Sequence, residues 1–307
     1  MNLPTLDIII VHWNSPDFLK RCLQSLEQSH RSRFSVVNVW VGDNRSEHQD
    51  FSELQSFTLP LRWQLNPVNV GFARANNQVG LTSRSDYLLL LNPDVEVEAD
   101  CLDRLMAQME SPRHTGVGIA GPHMQLGNGE PVRECAVFPT TRSWICDFLG
   151  LGKLRIPALG GFRLLDWDVS QTREVDHLMG GACLVRTRVY QDLGGLDECY
   201  FLYFVDLDFS KRMADSGWRS LFVHDARVIH RTDEIKSTGS MIRLLHSIRG
   251  RLRYTYTHLG LVARILTVIL TFTIEPLLRI GRGLLQRDAT QIRDLFKVYA
   301  MLLKGGA

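Results

Sequence analysis

Cysteine is scarce in this sequence, and the six cysteines are widely separated. They occur without any CxxC spacing, at Cys22, Cys101, Cys135, Cys146, Cys183 and Cys199. Structural zinc sites and disulfide frameworks usually show paired or clustered cysteines. The spacing argues against both kinds of site and favours a reducing cytoplasm as the compartment.

The usual phosphate-binding glycine motifs are also missing. No GxGxxG follows the first apolar run, and no GxxxxGK[ST] occurs in the chain. These motifs bind nucleotide phosphates in dehydrogenases and P-loop enzymes. If the protein binds a nucleotide diphosphate, we expect a divalent cation with oxygen ligands to neutralise it instead.

Neither a signal peptide nor a long uninterrupted apolar run is evident. The stretch "MNLPTLDIIIVHWN" has no basic residue before its apolar part and no small-residue cleavage site, so we expect a first strand there. The most apolar later stretch is interrupted by Arg264 and stopped by Glu275 and Pro276. A membrane span needs about 20 apolar residues, and the uninterrupted piece is about half that length.

What is present indicates a globular α/β protein. The chain has 307 residues, of which 45% are hydrophobic and 22% are charged. Short apolar runs alternate with helical patterns through the first half, as in "LDIIIVHW", "DFLKRCLQSLEQ", "VVNVWVGD" and "YLLLLNPD". This alternation predicts a mostly parallel sheet flanked by helices. Residues 116–195 predict a loop-rich part with short strands, and a helix is expected to begin at Asp206 or Asp208.

Polar residues follow several of the predicted strands. His12, Trp13 and Asn14 end the first, and Asp43 and Asn44 end the second. The run "YLLLL" likewise stops at "NPD". In open α/β sheets the ligand crevice lies beyond the carboxyl ends of the strands, so these ends predict one binding site. The alternative is that Asn, Asp and Pro only form turns there.

Several segments, taken in order, resemble the family-2 glycosyltransferases of GT-A fold, and among them the rhamnosyltransferase-like group. They are "IIIVHWNS", "VGDNRS", "NPVNVGFARANNQVG", "LLLLNPDV", "MGGACLVR", "GGLDECYFLYFVDLDFSKR" and "VIHR". The resemblance covers roughly residues 5–240, and we therefore expect a GT-A domain over residues 1–240. It implies a nucleotide-sugar donor and a divalent metal, Mg²⁺ or Mn²⁺.

The resemblance also implies roles at matching positions. Asp43 matches the acid that binds the nucleobase, with Trp13 and Asn14 near the same strand end. The loop and helix start beside the ribose and diphosphate are matched by Asn69, Gly71, Arg74 and Asn77. Asp94 matches the metal-binding acid of the family's Asp-x-Asp motif, in which Asn92 replaces the first Asp, and His230 matches a late histidine that reaches the metal or diphosphate.

Asp206 matches the family's catalytic base, and Val205 stands where the usual motif has Glu. A carboxylate that accepts the acceptor's proton contributes about 10²–10⁴ in rate. Direct displacement of the diphosphate would invert the anomeric centre. For acceptor binding, the matching residues are Gly180, Gly181 and Asp208.

Each of these roles has a structural alternative. The two aspartates suit the first turn of a helix, where the helix dipole favours acids. Gly180 and Gly181 suit a tight turn. His230 suits a satisfied core histidine.

Residues 241–307 predict a basic helical tail, because arginine and lysine far outnumber acids there. Two interpretations stay open: an interfacial helix that contacts anionic lipid at the inner face of the cytoplasmic membrane, or a helix pair that packs on the catalytic domain or another subunit. A nucleic-acid binder is disfavoured because the tail lacks interleaved aromatic residues and a recognised fold.

The combined expectation is an inverting, metal-dependent glycosyltransferase that uses a dTDP- or UDP-sugar, with dTDP-L-rhamnose as the best guess. The acceptor would be a growing or lipid-linked surface glycan. The alternative from another class is a catalytically silent sugar-nucleotide-binding or scaffold subunit, for which Val205 is the motive.

Overall fold

The computed structural model describes residues 3–47, 51–132, 135–151, 160–162, 164, 168–231 and 240–304. The chain forms two compact units. The first is drawn from Met1–Phe138, Arg163–Cys199 and Val205–Ile235, and the second from Pro139–Phe162, Tyr200–Phe204 and Lys236–Ala307. The second unit thus takes in more than the tail, and the domain boundary expected after residue 240 stays a prediction.

The strands all belong to the first unit. In chain order they are β1 (Thr5–His12), β2 (Ser35–Asp43), β3 (Leu61–Leu65), β4 (Tyr87–Leu91), β5 (Val95–Val97), β6 (Val117–Leu126), β7 (Cys135–Ala136), β8 (Arg173–Val175), β9 (His177–Leu178), β10 (Ala182–Arg186) and β11 (Arg219–His230). Within the described residues, one nine-stranded sheet has the order β3-β2-β1-β4-β10-β6-β11-β5, with β8 beside β11. Strands β7 and β9 form a separate pair.

The helices occur in both units. In chain order they are α1 (Pro16–Gln28), α2 (Phe72–Gly80), α3 (Cys101–Met109), α4 (Thr141–Phe148), α5 (Thr187–Asp192), α6 (Val205–Asp215), α7 (Ser240–His258), α8 (Leu261–Phe272), α9 (Ile274–Leu285) and α10 (Ala289–Leu303). Of these, α4 and α7 to α10 belong to the second unit.

The expected α/β fold is confirmed, and the sheet is mixed in detail. Strands β3, β2, β1 and β4 pair in parallel, whereas β10 runs antiparallel to β4 and β6. Strand β4 is buried along its whole length, and so is most of β1. Strands covered on both faces have no solvent side, so continuous apolar runs are the sequence that suits them.

The prediction of a loop-rich part over residues 116–195 missed the ten-residue strand β6. Its sequence, "VGIAGPHMQL", contains Gly118, Gly121 and Pro122, which usually mark turns. Pro122 lies where the pairing of β6 with β11 shifts register, after Val223. A proline fits at such an irregularity because no regular ladder hydrogen bond requires its missing N–H. Strand β3, in a segment expected to be turn-rich, was missed as well.

The second unit has its own core. Leu245, Ile248 and Val298 form a buried apolar cluster between α7 and α10. Trp144 of α4 stacks on the Tyr254 ring at 5.5 Å and donates its indole N–H to Thr267 Oγ at 3.0 Å. Helix α4 is therefore fixed to the C-terminal helices by one aromatic stack and one buried hydrogen bond.

Candidate active site

The parallel strands of the first unit end at the same edge of the sheet. His12 on β1 is level with Asp43 on β2, and Asp43 is level with Leu65 on β3. On the other side of β1, Ile10 is level with Leu91, the last residue of β4. The residues that follow these strands are thereby brought to one edge, as the crevice hypothesis requires.

At the end of β2, Asp43 is fully buried and is held by the turn that follows. Its carboxylate accepts hydrogen bonds from the Ser46 N–H at 3.2 Å and from the Ser46 hydroxyl. Ser46 Oγ in turn accepts the Asn14 N–H at 2.9 Å. Asn14 has φ 52°, in the left-handed region that asparagine tolerates, so the chain turns sharply after β1 and leaves Trp13 half exposed.

Next to Asp43, His12 is buried and its Nδ1 lies 3.0 Å from Ser15 Oγ. Its Nε2 lies 4.0 Å from Asp43 Oδ1 and makes no hydrogen bond. Burial lowers the pKa of His12, and the nearby Asp43 carboxylate only partly opposes that shift. The base-binding end of the predicted site therefore contains a buried imidazole that favours its neutral form.

A chain of side-chain amides shapes the loop before α2. Asn44 donates to the Gly71 carbonyl at 3.2 Å and accepts from Asn66 Nδ2 at 3.0 Å. The Gly71 N–H is bound by Asn69 Oδ1 at 3.0 Å, and Gly71 has φ 83°. A left-handed glycine here lets the backbone enter α2 immediately after the loop. Sequence analysis selected Asn69 and Gly71, named Asn44 only as a residue at a strand end, and missed Asn66.

The two predicted residues on α2 have different surroundings. Arg74 is exposed, and its Nε lies 3.9 Å from Glu198 Oε2. Asn77 is buried and binds protein groups with both ends of its amide. Its Nδ2 donates to Leu196 O at 2.8 Å, and its Oδ1 accepts from Tyr190 at 2.6 Å. Asn77 thus ties α2 to the loop at Leu196, and a direct contact of Asn77 with the donor stays a prediction.

Asp94 and His230 meet where the distant strands β5 and β11 pair antiparallel. His230 pairs with Val95 in the antiparallel ladder, and the Arg231 N–H donates to the Asp94 carbonyl at 2.8 Å. This pairing brings His230 Nε2 to 3.3 Å from Asp94 Oδ2. Both residues are buried, and His230 Nε2 makes no hydrogen bond to any residue that the structure describes. Two residues far apart in sequence are thus joined by a strand pair.

This pair fits a divalent cation as a partial ligand set. A carboxylate oxygen and an unbonded imidazole nitrogen are both suitable ligands, and a nucleotide diphosphate and water can supply further oxygens. Within the described ranges, no group of three or more His, Cys, Asp or Glu residues could hold a metal by itself. Burial, and to a smaller extent the Asp94 and Glu96 carboxylates, raise the pKa of the Cys22 thiol, whose Sγ lies 3.8 Å from the Asn92 carbonyl.

The turn at Gly180 and Gly181 connects this pair with the predicted base. The Gly180 N–H donates to Asp206 Oδ2 at 2.9 Å. The Gly181 carbonyl accepts from the Asn92 N–H at 2.9 Å, and a Cβ built on Gly181 would come within 3.6 Å of His230 Cε1. A Cβ on Gly180 would come within 3.2 Å of Asp206 Cβ, whereas one on Gly181 would press on the Met124 side chain at 3.1 Å and only touch His230. A role of these glycines in acceptor binding stays a prediction.

Asp206 lies in the first turn of α6 with its side chain 28% exposed, so its carboxylate can reach solvent or a substrate. Its Oδ2 also lies 3.9 Å from Nε2 of His177, a buried histidine whose Nδ1 is 3.0 Å from Ser210 Oγ. Sequence analysis passed over His177 because it has no metal-ligand spacing. The sequence feature that could have identified His177 is its position three residues before the glycine pair.

Asp208, two residues further along α6, has a different environment. Its side chain is only 1% exposed and pairs with Arg212 Nε at 2.7 Å. Arg212 also donates to the carbonyls of Leu193 and Gly195, each at 2.9 Å. Asp208 therefore anchors the loop before Leu196 through Arg212, and its contact with an acceptor stays a prediction.

A mixed α/β sheet flanked by helices, with strand ends that converge at one edge, is the architecture of the GT-A glycosyltransferases. Residues 7–153 match the model of glycosyl transferase family 2. Residues 7–153 thus carry a family-2 glycosyltransferase domain, and the chain is similar to rhamnosyltransferases.

Two relatives are rhamnosyltransferases. The chain is 27% identical over 247 residues to N-acetylglucosaminyl-diphospho-decaprenol L-rhamnosyltransferase of Mycobacterium tuberculosis. This match covers 76% of this chain and 78% of that protein. It is 28% identical over 232 residues to rhamnosyltransferase WbbL of Escherichia coli K12, covering 73% of this chain and 82% of that protein.

A solved structure supports the fold. The structure of GalNAc-T7 with UDP, GalNAc and Mn²⁺ matches with a TM-score of 0.62 at 16% identity, over 82% of this chain. The match covers 48% of that chain, about half of its length. A likeness at this identity shows the GT-A fold alone.

Proposed function

We propose that this protein is an inverting, metal-dependent rhamnosyltransferase that transfers L-rhamnose from dTDP-L-rhamnose to a hydroxyl of a growing surface glycan. The observation that carries the proposal is the arrangement around the glycine turn. Asp206 contacts Gly180, while the Asp94–His230 pair lies beside Gly181. The rhamnosyltransferase relatives support the choice of sugar, and UDP-sugars are the next donors to test.

In this proposal the protein groups divide the work. Asp43, with Trp13 and Asn14 nearby, receives the nucleobase, and the loop from Asn69 to Gly71 passes beside the ribose and diphosphate, with Arg74 and Asn92 near the phosphates. Asp94 and His230 would hold a Mg²⁺ or Mn²⁺ ion. Such an ion supplies positive charge that stabilises the leaving diphosphate.

Asp206 is the general base. Its carboxylate accepts the proton of the acceptor hydroxyl while that oxygen bonds to the anomeric carbon and the bond to the diphosphate breaks. Attack opposite the leaving group inverts the anomeric centre. His177 and the Gly180 N–H position Asp206. Val205, which is buried, stands beside the base where the family usually has Glu.

We propose a lipid-linked glycan as the acceptor and the cytoplasmic face of the membrane as the location. The mycobacterial relative is an N-acetylglucosaminyl-diphospho-decaprenol L-rhamnosyltransferase, and this supports a lipid-linked acceptor. The rival proposal, a silent sugar-nucleotide-binding subunit, predicts donor binding without transfer or donor hydrolysis.

The test combines donor and metal. We expect dTDP-L-rhamnose with Mn²⁺ or Mg²⁺ to stabilise the protein against thermal unfolding, by about 2.7 kcal/mol at about 100 times Kd. In Asp94→Ala, the metal-dependent part of this stabilisation should vanish while the protein without ligand melts normally, because a strand-end carboxylate contributes little to the core.

Asp100→Ala is the matched control. Asp100 is another carboxylate near β5, but it is half exposed and pairs with Arg104 and His30. That variant should keep full metal-dependent donor binding. If Asp94→Ala also keeps it, Asp94 is only a turn residue. If another nucleotide sugar alone stabilises the wild type, the donor assignment is wrong.

A further inference from the structure

In helices α8 and α9 the buried side is small or polar and the exposed side is apolar, which is the reverse of a helix on the surface of a water-soluble protein. The residues buried along them are small or polar: Ala263, Thr267, Thr271, Glu275 and Gly283. Their outer face is apolar and exposed, from 48% at Val268 to 88% at Leu285. Its other members include Leu261, Val262, Ile265, Val268, Ile269 and Leu277.

The buried side is a polar seam with specific partners. Thr267 accepts the indole N–H of Trp144, and Thr271 accepts a hydrogen bond from Arg251 at 3.2 Å. Glu275 is paired with Arg251 and, at 2.8 Å, with Arg279. The i, i+4 spacing from Ala263 to Glu275 puts these groups on one helix face. Among the described residues, the apolar side chains on the opposite face remain between about half and almost fully exposed.

This distribution is the one that helices in a lipid bilayer show. In lipid, small and hydroxyl residues pack against neighbouring helices, and ionisable side chains turn inward and pair. Apolar side chains face the acyl chains. The stretch Leu261–Leu285 has 25 residues and, by length and composition, is the one described helical stretch apolar enough to cross a membrane. The α8–α9 break at Thr273 divides it.

We infer that the outer face of α8 and α9, which we term the α8–α9 apolar face, is buried in the hydrocarbon region of a lipid bilayer. This inference is independent of the donor and of the reaction proposed above. It also replaces the picture of a basic helix that lies on the lipid headgroups, because the exposed surface is apolar and its charged residues are few.

The charges near this face fit anionic lipid headgroups. Arg264 stacks over the ring of Tyr256 at 4.8 Å, next to the start of α8, and Tyr256 is 71% exposed. An arginine beside an exposed tyrosine is typical of the membrane–water interface. Arg282 and Arg287 lie toward the other end and are exposed. An apolar surface bounded by arginines suits a bilayer better than a second copy of this face, which would bring like charges together.

The experiment is flotation of the full chain with vesicles of phosphatidylglycerol and phosphatidylethanolamine. We expect the wild type to float with the vesicles both at low salt and in about 1 M salt, where the Debye length is only about 3 Å. The double variant Ile265→Asp, Leu277→Asp should lose at least tenfold in bound fraction, because charged residues are costly in hydrocarbon. Both side chains are exposed, so the fold of the unit should be retained.

The control is Val37→Asp, Leu81→Asp, which changes two exposed apolar residues of the first unit and should float like the wild type. Circular dichroism and donor-induced thermal stabilisation check that every variant folds. Binding that disappears in high salt would overturn the inference and leave a headgroup contact. A wild type that does not float but forms a dimer, made monomeric by the Ile265→Asp, Leu277→Asp change, would overturn it in favour of a second copy.

Discussion

The two units of the chain distribute polar and apolar residues in opposite ways. In the first unit, apolar strands such as β4 are buried, and polar groups collect at the strand ends around Asp94 and Asp206. In the second unit, α8 and α9 bury threonines and an ion-paired glutamate and expose leucine and isoleucine. The side on which apolar residues lie thus differs between the units. By our inference, this is because water surrounds the first unit and lipid surrounds part of the second.

The comparison also separates two uses of buried charge. Asp94 and His230 are buried beside each other, and one imidazole nitrogen makes no hydrogen bond in the described part of the chain, which suits a ligand site. Glu275 is buried with two arginines, which suits a structural network. Buried charges are stable when paired, and they are available for function when part of their bonding capacity is left for a ligand.

The largest expected effect concerns Asp206, the proposed general base, which lies in the first unit. Asp206→Asn keeps the size of the side chain but accepts no proton, so turnover should fall by about 10² or more while donor affinity is unchanged. Transfer kinetics and donor titration measure the two quantities.

Asp208→Asn is the matched comparison within α6. It weakens the buried pair with Arg212, so we expect a lower Tm but near-normal turnover of the folded protein. A stable but inactive Asp208→Asn enzyme, together with an active Asp206→Asn enzyme, would move the base to Asp208.

The next effect is a loss of stability when the buried ion pairs of the second unit are broken. Glu275→Leu leaves Arg251 and Arg279 without their carboxylate, and loss of one partner of a buried pair costs about 3–5 kcal/mol. Unfolding in mild detergent measures this loss. The exposed Arg219–Glu174 pair of the first unit is the control, and Glu174→Ala should change the free energy of unfolding by about 1 kcal/mol or less. Equal effects of the two changes would contradict the assignment of Glu275 to a buried seam.

A smaller effect is expected for His177, which we regard as a positioning residue. His177→Gln removes the imidazole that lies 3.9 Å from Asp206, and a slightly displaced base should lower kcat by roughly tenfold. The KM for the donor should stay unchanged, because His177 acts on the base and not on the nucleotide. A change in donor KM with normal kcat would show that its role is elsewhere.

The smallest effect is a pH dependence of stability from His12. Burial lowers the pKa of His12 in the folded protein below its ordinary value of 6.5, so the unfolded chain binds the proton first. Stability should therefore fall as the pH drops from about 6.5 towards the lowered pKa. His12→Gln should weaken this dependence, as measured by urea unfolding between about pH 5 and pH 7.5. An identical pH profile in the variant would exclude His12 as its source.

Much of the first unit could be predicted from the sequence. Runs such as "DIIIV" and "YLLLL" indicated strands β1 and β4, because a strand buried on both faces needs apolar residues throughout. Helix α6 was predicted to begin at Asp206 or Asp208 and begins at Val205, one residue before the earlier of the two. Strand β6 was not, because its glycines and proline are tolerated only where β11 shifts register beside it.

The candidate site was predicted in part. The motifs selected Asp94, His230 and Asp206, but no local pattern showed that one glycine turn would connect them. That connection depends on the pairing of β4 with β10 and of β5 with β11, which are contacts between distant segments. His177 and Ser46 were missed because each acts on a neighbour that only the folded chain brings close.

The sequence by itself determined the family, the α/β architecture of the first unit and the positions of the candidate acids, since these follow from local runs and short motifs. Only the tertiary structure decided the surroundings of those acids. It placed Asp206 at 28% exposure and Asp208 at 1%, although they lie two residues apart on one helix. It also decided which face of α8 is buried, because helical periodicity defines the faces but packing against α4 and α7 selects between them.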